Sequence, residues 1–408
     1  MSIINLVRSK NFILRSLGIS LTIVNSIFLS NYFGGDLFGY FTTLNLFLGL
    51  SSQLFSLSFN SYSVRIYAKF DPKDVGVFII NNFLFQFILF VVGILLFKSL
   101  YPINVSQNYL LFVILLFFTM CNAVLDNVFT GISIPHLGGV LLIFRNSSIL
   151  IFLIIYFCFN NFGLNNTLLA SMILAESIGC VVFLIFLISC GIINSNVFKI
   201  NFQFLKTGVI SGMSLTLYSF MYLLIISLPR LILSFDKTSY SDLGKFQINY
   251  LLAMTVSNLL ESNYSTNRLP AIIQDVNLGQ KINLRNILHE IKPYLLLMLL
   301  YSVTVLVFLP ILQNYINGID LISFAILSIN SLLFFFYRSM HYRIYAGSYD
   351  YYLILINCLI LIFSSVTLYF LYHSLGFLGL LLSTILSTFF MIALSIWFLK
   401  FKINDSRN

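Results

Sequence analysis

Charge is scarce in this sequence. Asp, Glu, Lys and Arg make up 9% of its 408 residues, against roughly 25% in an average soluble domain. That is too little to cover a water-soluble globule of this size, and a soluble fold is excluded. Cysteine is sparse too. Cys121, Cys158, Cys180, Cys190 and Cys358 are odd in number, show no CxxC spacing and lie within or at the ends of apolar runs. They read as small buried fillers rather than a disulfide framework. The nucleotide-cradling GxxxxGK[ST] pattern is missing, so this chain does not hydrolyse ATP. With neither HExxH nor a Cys/His cluster, no metal is expected. GxSxG is absent as well, no loop is large enough for a soluble catalytic domain, and no cofactor is called for. The first apolar run is too long for a cleavable signal and no small-x-small site follows it, so helix one is expected to remain as a signal-anchor.

What is abundant is apolar. Hydrophobic residues make up 59% of the chain, with 44 Phe and 23 Tyr. Runs of ~20 apolar residues, the length of helix that crosses the hydrocarbon core, recur throughout. We read an all-α polytopic membrane protein with about twelve transmembrane helices. The spans fall at 11–32, 38–60, 76–97, 108–130, 140–159, 168–190, 208–228, 244–262, 293–312, 319–340, 350–372 and 375–399. The longest connection, 263–292, is basic and partly amphipathic and is expected to lie on the membrane surface.

The basic residues set the orientation. With a cytoplasmic N-terminus, all 22 Lys and Arg except Lys98, Arg230, Lys237 and Lys245 fall on the inner side. This asymmetry supports the span count and places both termini in the cytoplasm. It also accounts for the net charge of +9 without any nucleic-acid partner. Six spans precede the basic connection at 191–207 and six follow it.

The first helical hairpin has an echo half a chain later. Gly39 and Phe41 align with Gly244 and Phe246, Asn60 and Arg65 with Asn263 and Arg268, and Phe162-Gly163-Leu164 with Leu375-Gly376-Phe377. These matches imply a duplication. An even number of spans per half means that both copies face the same way. Two six-helix lobes, 1–197 and 198–408, are therefore expected, related by a pseudo-two-fold along the membrane normal with a cleft between them.

Polar groups inside hydrocarbon are costly and mark candidate sites. On helix one, Arg15, Gly18, Thr22 and Asn25 share about 80° of arc, and on helix four so do Thr119, Asn122, Asp126 and Thr130. Arg145-Asn146-Ser147-Ser148 interrupts the fifth span, and Glu176 is the deepest acid, among small residues on the sixth. Ser211, Ser214 and Tyr218 share a face of helix seven, and Ser257, Asn258, Glu261 and Ser265 share one of helix eight. Arg338 closes helix ten. The candidates for binding phosphate and sugar are Arg15, Thr22, Asn25, Arg145, Ser214, Tyr218 and Arg338. Those for ion coupling or gating are Asp126, Glu176 and Glu261. Plainer readings stay open for each: the arginines as interfacial anchors, the acids as paired groups that lock a bundle.

Two stretches carry a resemblance. The basic start followed by NYFGGDLFGYFTTLNLF (31–47) resembles the opening of the lipid-linked polysaccharide-unit flippases of the O-antigen type, in the multidrug/oligosaccharidyl-lipid/polysaccharide exporter superfamily. PRLILSFDKTSYSDLGKFQINYLLAM (229–254) is similar to their seventh-to-eighth helix hairpin, with Pro229 where an acid often precedes the arginine. The resemblance implies a V-shaped pair of lobes that alternate between inward- and outward-open states. It implies a substrate too: an oligosaccharide on undecaprenyl pyrophosphate, flipped to the outer leaflet of a bacterial inner membrane for surface polysaccharide synthesis. Its partners would be the lipid-linked oligosaccharide, membrane lipid, and the polymerase and chain-length regulator of the same pathway. Such a chain is a transporter, not an enzyme. Two other readings remain: a membrane-embedded polysaccharide polymerase, which wants a large outer loop, and a cation-coupled drug antiporter, which wants a midplane acid facing an apolar cavity. Arginine suits a pyrophosphate because its planar fork binds phosphate and stays charged.

Overall fold

Helices, their caps and short turns make up the computed structural model over the residues it describes, 10–56, 59, 75–97, 108–132, 134, 136–158, 163–193, 199–235, 240–277, 284–346 and 349–400. In chain order the helices are α1 Lys10–Tyr32, α2 Gly34–Phe55, α3 Gly76–Phe97, α4 Tyr109–Gly131, α5 His136–Asn146, α6 Ser148–Cys158, α7 Leu164–Ser189, α8 Phe202–Phe235, α9 Tyr240–Asn277, α10 Leu284–Leu312, α11 Leu321–Ala346 and α12 Asp350–Phe398. Ten stretches among the described residues are long and apolar enough to cross a membrane, and this is a multi-pass membrane protein. α5 and α6 together form one such stretch, and α12 contributes two. The expected spans at 38–60 and 244–262 are helical as α2 and α9, with lower apolar content than the ten.

One expectation is corrected. The connection 263–292 is not a surface loop: α9 runs on to Asn277, and α10 starts at Leu284. Polar residues there mark the exit from hydrocarbon, not the end of the helix. Tyr264 and Ile272, two turns apart on one face, are both buried, so the helical period carries through.

The chain divides into two compact units, residues 1–26 with 40–220 and residues 27–39 with 221–408. In the first, α7 packs on α4, α5 and α6. Its core joins Val124, Val128 and Phe129 of α4 to Leu141 of α5 and Phe183 and Leu187 of α7. A buried asparagine pins the start of α8 to this unit: Asn81 donates from Nδ2 to the Lys199 carbonyl (2.7 Å) and accepts from the Asn201 amide (2.9 Å). Asn201 in turn caps α8, its Oδ1 accepting from the Phe204 amide at 2.9 Å.

In the second unit α11 is the central helix, packed on α9, α10 and α12. Its buried Ser323, Ser328, Ser331 and Ser339 let neighbours approach closely. Asp320 caps it, accepting from the Ser323 amide at 2.8 Å. The turn before it is held by Asn249, which donates to the Gly318 carbonyl at 2.9 Å. The same turn receives the α1–α2 tip: the Asn317 amide donates to Asn31 Oδ1 at 2.8 Å, and Ser30 Oγ donates to the Asn317 carbonyl at 3.1 Å. The tip also lies on the start of α9. A Cβ on Gly39 would stand 2.5 Å from the Tyr240 carbonyl oxygen, and one on Gly244 would stand 3.1 Å from that of Gly35. Gly39 and Gly244 are the aligned pair of the sequence echo, and the same spacing aligns Gly35 with Tyr240. The two contacts are therefore reciprocal in the numbering of the echo. Of the other echoes, Asn60, Arg65 and Phe162 lie outside the described residues.

α12 folds into its two legs at Gly376, whose φ of 58° and ψ of −134° lie outside the helical region. Only glycine adopts such a pair cheaply. Gly376→Ala is expected to destabilise the protein by about 1–3 kcal/mol, visible as a lower thermal midpoint in detergent; an unchanged midpoint would mean that the turn relaxes.

Candidate functional site

The first unit gathers four of the predicted residues into one charged cluster. α4 contributes Asp126, α1 Arg15, α5 Arg145 and α7 Glu176. Arg145 donates from Nε to Glu176 Oε1 at 2.7 Å. The other carboxylate oxygen accepts from Asn122 Nδ2 at 2.5 Å, and the same amide reaches the Glu176 carbonyl at 2.9 Å. Arg15 Nη2 stands 3.7 Å from Asp126 Oδ1. The side chains keep different exposures: 10% for Glu176, 34% for Arg145 and 44% for Asp126. The acid of the tighter pair is thus buried while its arginine stays partly open.

Local sequence explains how the cluster is held. Gly18 lies against Leu142 and Gly139 against Leu14, which lets α1 and α5 approach closely. Two reciprocal bonds then lock them, Asn25 Nδ2 to the Asn146 carbonyl (2.6 Å) and Asn146 Nδ2 to the Gly18 carbonyl (2.8 Å). The polar run at 145–148 is where the span breaks into α5 and α6, with Ser147 between them. The Ser147 side chain turns back to the Phe144 carbonyl at 2.6 Å. Thr22 bonds its own helix, Oγ1 to the Gly18 carbonyl at 3.3 Å. Asn25 and Thr22 are thus engaged within the protein, Asn25 in the α1–α5 lock.

Gly138 underlies the Arg15–Asp126 contact, since a Cβ there would overlap Asp126 Oδ1 and come within 3.7 Å of Arg15 Nη2. Gly138→Ala is expected to push Asp126 aside at a cost of about 1–3 kcal/mol, as overpacking does. Adding Asp126→Ala should recover most of that loss in a double-mutant cycle of thermal stability. Strictly additive losses would mean that Gly138 acts elsewhere.

The second unit carries a larger cluster. Arg338 of α11 pairs with Glu261 of α9 at 3.0 Å, and Tyr342 donates to the same Glu261 oxygen at 2.9 Å. The Arg338 guanidinium also lies 4.4 Å from the Tyr222 ring centroid, a cation–π contact. His341 stacks on the same tyrosine at 6.0 Å. One turn further, Glu290 of α10 bridges two arginines, Arg343 at 2.5 Å and Arg268 at 2.9 Å. Tyr264 donates to Glu290 at 3.1 Å and accepts from Arg343 at 3.3 Å. For Arg268, beyond the apolar stretch of α9, burial works against the charge, but the Glu290 carboxylate more than offsets it and raises the pKa.

The structure therefore brings together Arg15, Asp126, Arg145 and Glu176 in one unit, and Arg338 with Glu261 in the other. Tyr218 is buried in α8; the Ser214 side chain lies outside the described residues. Sequence reasoning did not single out Glu290, Tyr264 or Tyr222, and read Arg268 only as part of the echo and Arg343 only as a basic residue of the inner side. Three of these were hidden by reading 263–292 as loop; carrying the helical period through 264 and 268 finds Tyr264 and Arg268, while Glu290 falls on the first turns of α10. In the hairpin that resembles the flippases, Arg230 lies 5.0 Å from the Tyr250 ring centroid and its Nη2 donates to Ser227 at 3.4 Å. An aromatic face therefore neighbours this arginine, which Pro229 precedes in place of an acid.

No known family's sequence pattern and no curated protein sequence matches this chain. Solved structures do. An outward-facing conformation of a multidrug resistance MATE family transporter of the MOP superfamily superposes with a TM-score of 0.69 at 13% identity, over 99% of this chain and 98% of that one. An inward-facing conformation of a transporter of the same family gives 0.69 at 14%, over 97% and 95%. The lipid II flippase MurJ, in an inward closed conformation, gives 0.69 at 14%, over 95% and 86%. At these identities the likeness is one of fold, shared along nearly the whole chain.

Proposed function

We propose that this chain is a flippase rather than an enzyme. It carries an undecaprenyl-pyrophosphate-linked oligosaccharide unit from the cytoplasmic to the outer leaflet of the inner membrane, by alternating access, in surface polysaccharide (O-antigen) assembly. In this reading twelve spans form two six-helix lobes, both termini are cytoplasmic, and the polymerase and chain-length regulator of the pathway are the protein partners. The fold shared with drug exporters and with a lipid flippase supports a transporter that handles lipid-linked cargo.

One observation carries the choice of an anionic substrate. Arg145 meets Glu176 through Nε alone and keeps 34% of its side chain exposed. A guanidinium has five N–H donors in a planar fork, so the remaining donors are available to a phosphate. The acid that a cation antiporter would need is, by contrast, already engaged by Arg145 and Asn122. Arg15 and Arg338 are the further phosphate ligands of this reading, with Ser214 and Tyr218 on the sugar path. Asp126, Glu176 and Glu261, each paired with an arginine, are the ion-coupling or gating acids of this reading. If Asp126→Asn, Glu176→Gln and Glu261→Gln together left flipping unchanged, acid-mediated coupling would be dead.

The deciding experiment deletes the gene in its host and measures the sidedness of lipid-linked sugar. Single units trapped on the cytoplasmic face are expected. Units that reach the outer face but stay unjoined would point instead to a polymerase, and normal surface polysaccharide would leave the antiporter.

A further inference from the structure

A groove lies on the second unit, on the face of α10 turned from Glu290. α10 and α11 border an apolar groove of about 710 Å³. Its floor is leucine and phenylalanine, with Leu288, Leu296 and Leu299 from α10 and Leu333 and Phe336 from α11. Its head is different: Arg285, His289 and Lys292 line it within the first turns of α10. Those three positions share about 60° of helical arc with Leu296 between them. The acid of α10, Glu290, lies on the opposite face, where Arg268 and Arg343 hold it. The groove is therefore amphipathic along its length, cationic at one end and hydrocarbon-like beyond.

We propose that this groove binds one anionic glycerophospholipid of the cytoplasmic leaflet. Its phosphate sits among Arg285, His289 and Lys292, and one acyl chain runs along the leucine floor. Three features argue for this occupant. The rise from Arg285 to Leu299 is about 21 Å at 1.5 Å per residue, enough for a headgroup and one leaflet of a ~30 Å core. Arg285 and Lys292 fall on the side that the count of basic residues assigns to the cytoplasm, where basic pockets between membrane helices recognise anionic headgroups. Two permanent cations with the acid turned away disfavour a zwitterionic headgroup, whose ammonium would be repelled. A polyprenyl carrier is a poorer match, because its chain is far longer than a groove one leaflet deep. The inference does not rest on which substrate the protein transports.

Native mass spectrometry of the delipidated full-length protein in detergent tests it, with phosphatidylglycerol and phosphatidylcholine as probes. Wild type is expected to retain one phosphatidylglycerol in preference to phosphatidylcholine by about tenfold or more, the scale of two basic contacts at a membrane surface. Arg285→Gln with Lys292→Gln, both at exposed positions, should abolish the preference while leaving the thermal midpoint without lipid unchanged. Leu296→Phe keeps the charges but fills the floor, and it should lower retention too. Equal retention of the two lipids by wild type would overturn the proposal. So would undiminished retention by Leu296→Phe, which would leave only rim electrostatics, or displacement of phosphatidylglycerol by equimolar undecaprenyl phosphate, which would assign the groove to the carrier.

Discussion

Arg145→Ala is expected to lower the stability of this protein by about 3 kcal/mol, the low end of the range for removing one partner of a buried ion pair, and, under the proposed function, to abolish transport. The removal strands Glu176, whose side chain is only 10% exposed. Asn122 alone then faces the carboxylate, and a neutral amide does not offset a buried negative charge. The low end applies because Arg145 keeps a third of its surface open. Replacing both residues, Arg145→Met with Glu176→Met, should recover most of the stability, since an apolar pair of similar volume is often neutral or better. It should not recover transport. Thermal unfolding in detergent and surface polysaccharide in the host read the two effects separately. Wild-type polysaccharide in the stable double variant would overturn the role given to Arg145 in binding phosphate.

Glu290→Ala carries the second large effect. It removes the carboxylate shared by Arg343 and Arg268. The Arg343 side chain is 9% exposed, so its charge is left buried beside Tyr264, whose hydroxyl loses a partner as well. A loss of about 3–5 kcal/mol is expected. Arg268, at 49% exposure, contributes little, since a solvent-facing pair is worth at most about 1 kcal/mol. The matching double change, Glu290→Ala with Arg343→Met, should regain most of the loss, whereas Glu290→Ala with Arg268→Met should not. Size-exclusion profiles after heating distinguish them. Equal rescue by both would mean that Arg343 is not the buried member.

The apolar runs and the glycines at turns made the helices legible from the sequence. A run of ~20 apolar residues has few alternatives, and Gly39 and Gly244 stood out because they recur in similar settings. Partners were less legible. Helical phase showed that Arg15, Asn25, Asp126 and Asn122 each sit on a polar face, but phase does not say which helix that face meets. Glu176 and Arg145 looked like separate features because the bond that joins them crosses between α5 and α7. Nothing in the helix of Asn25 announces the Asn146 carbonyl that the broken span presents to it. Polarity was also over-read as a loop signal at 263–292. A membrane helix that continues into water changes composition without changing conformation.

The pairing of acids with arginines has an electrical consequence. A membrane potential does work only on charge that moves, about 2.3 kcal/mol per elementary charge carried through a 100 mV drop. Arg15, Arg145, Asp126 and Glu176 sum to zero, so displacing that group as a body costs nothing against the field. Arg268, Arg338 and Arg343 with Glu261 and Glu290 leave one positive charge in surplus. Voltage sensitivity arising from these clusters therefore belongs to the second unit. A negative interior draws its surplus charge inward.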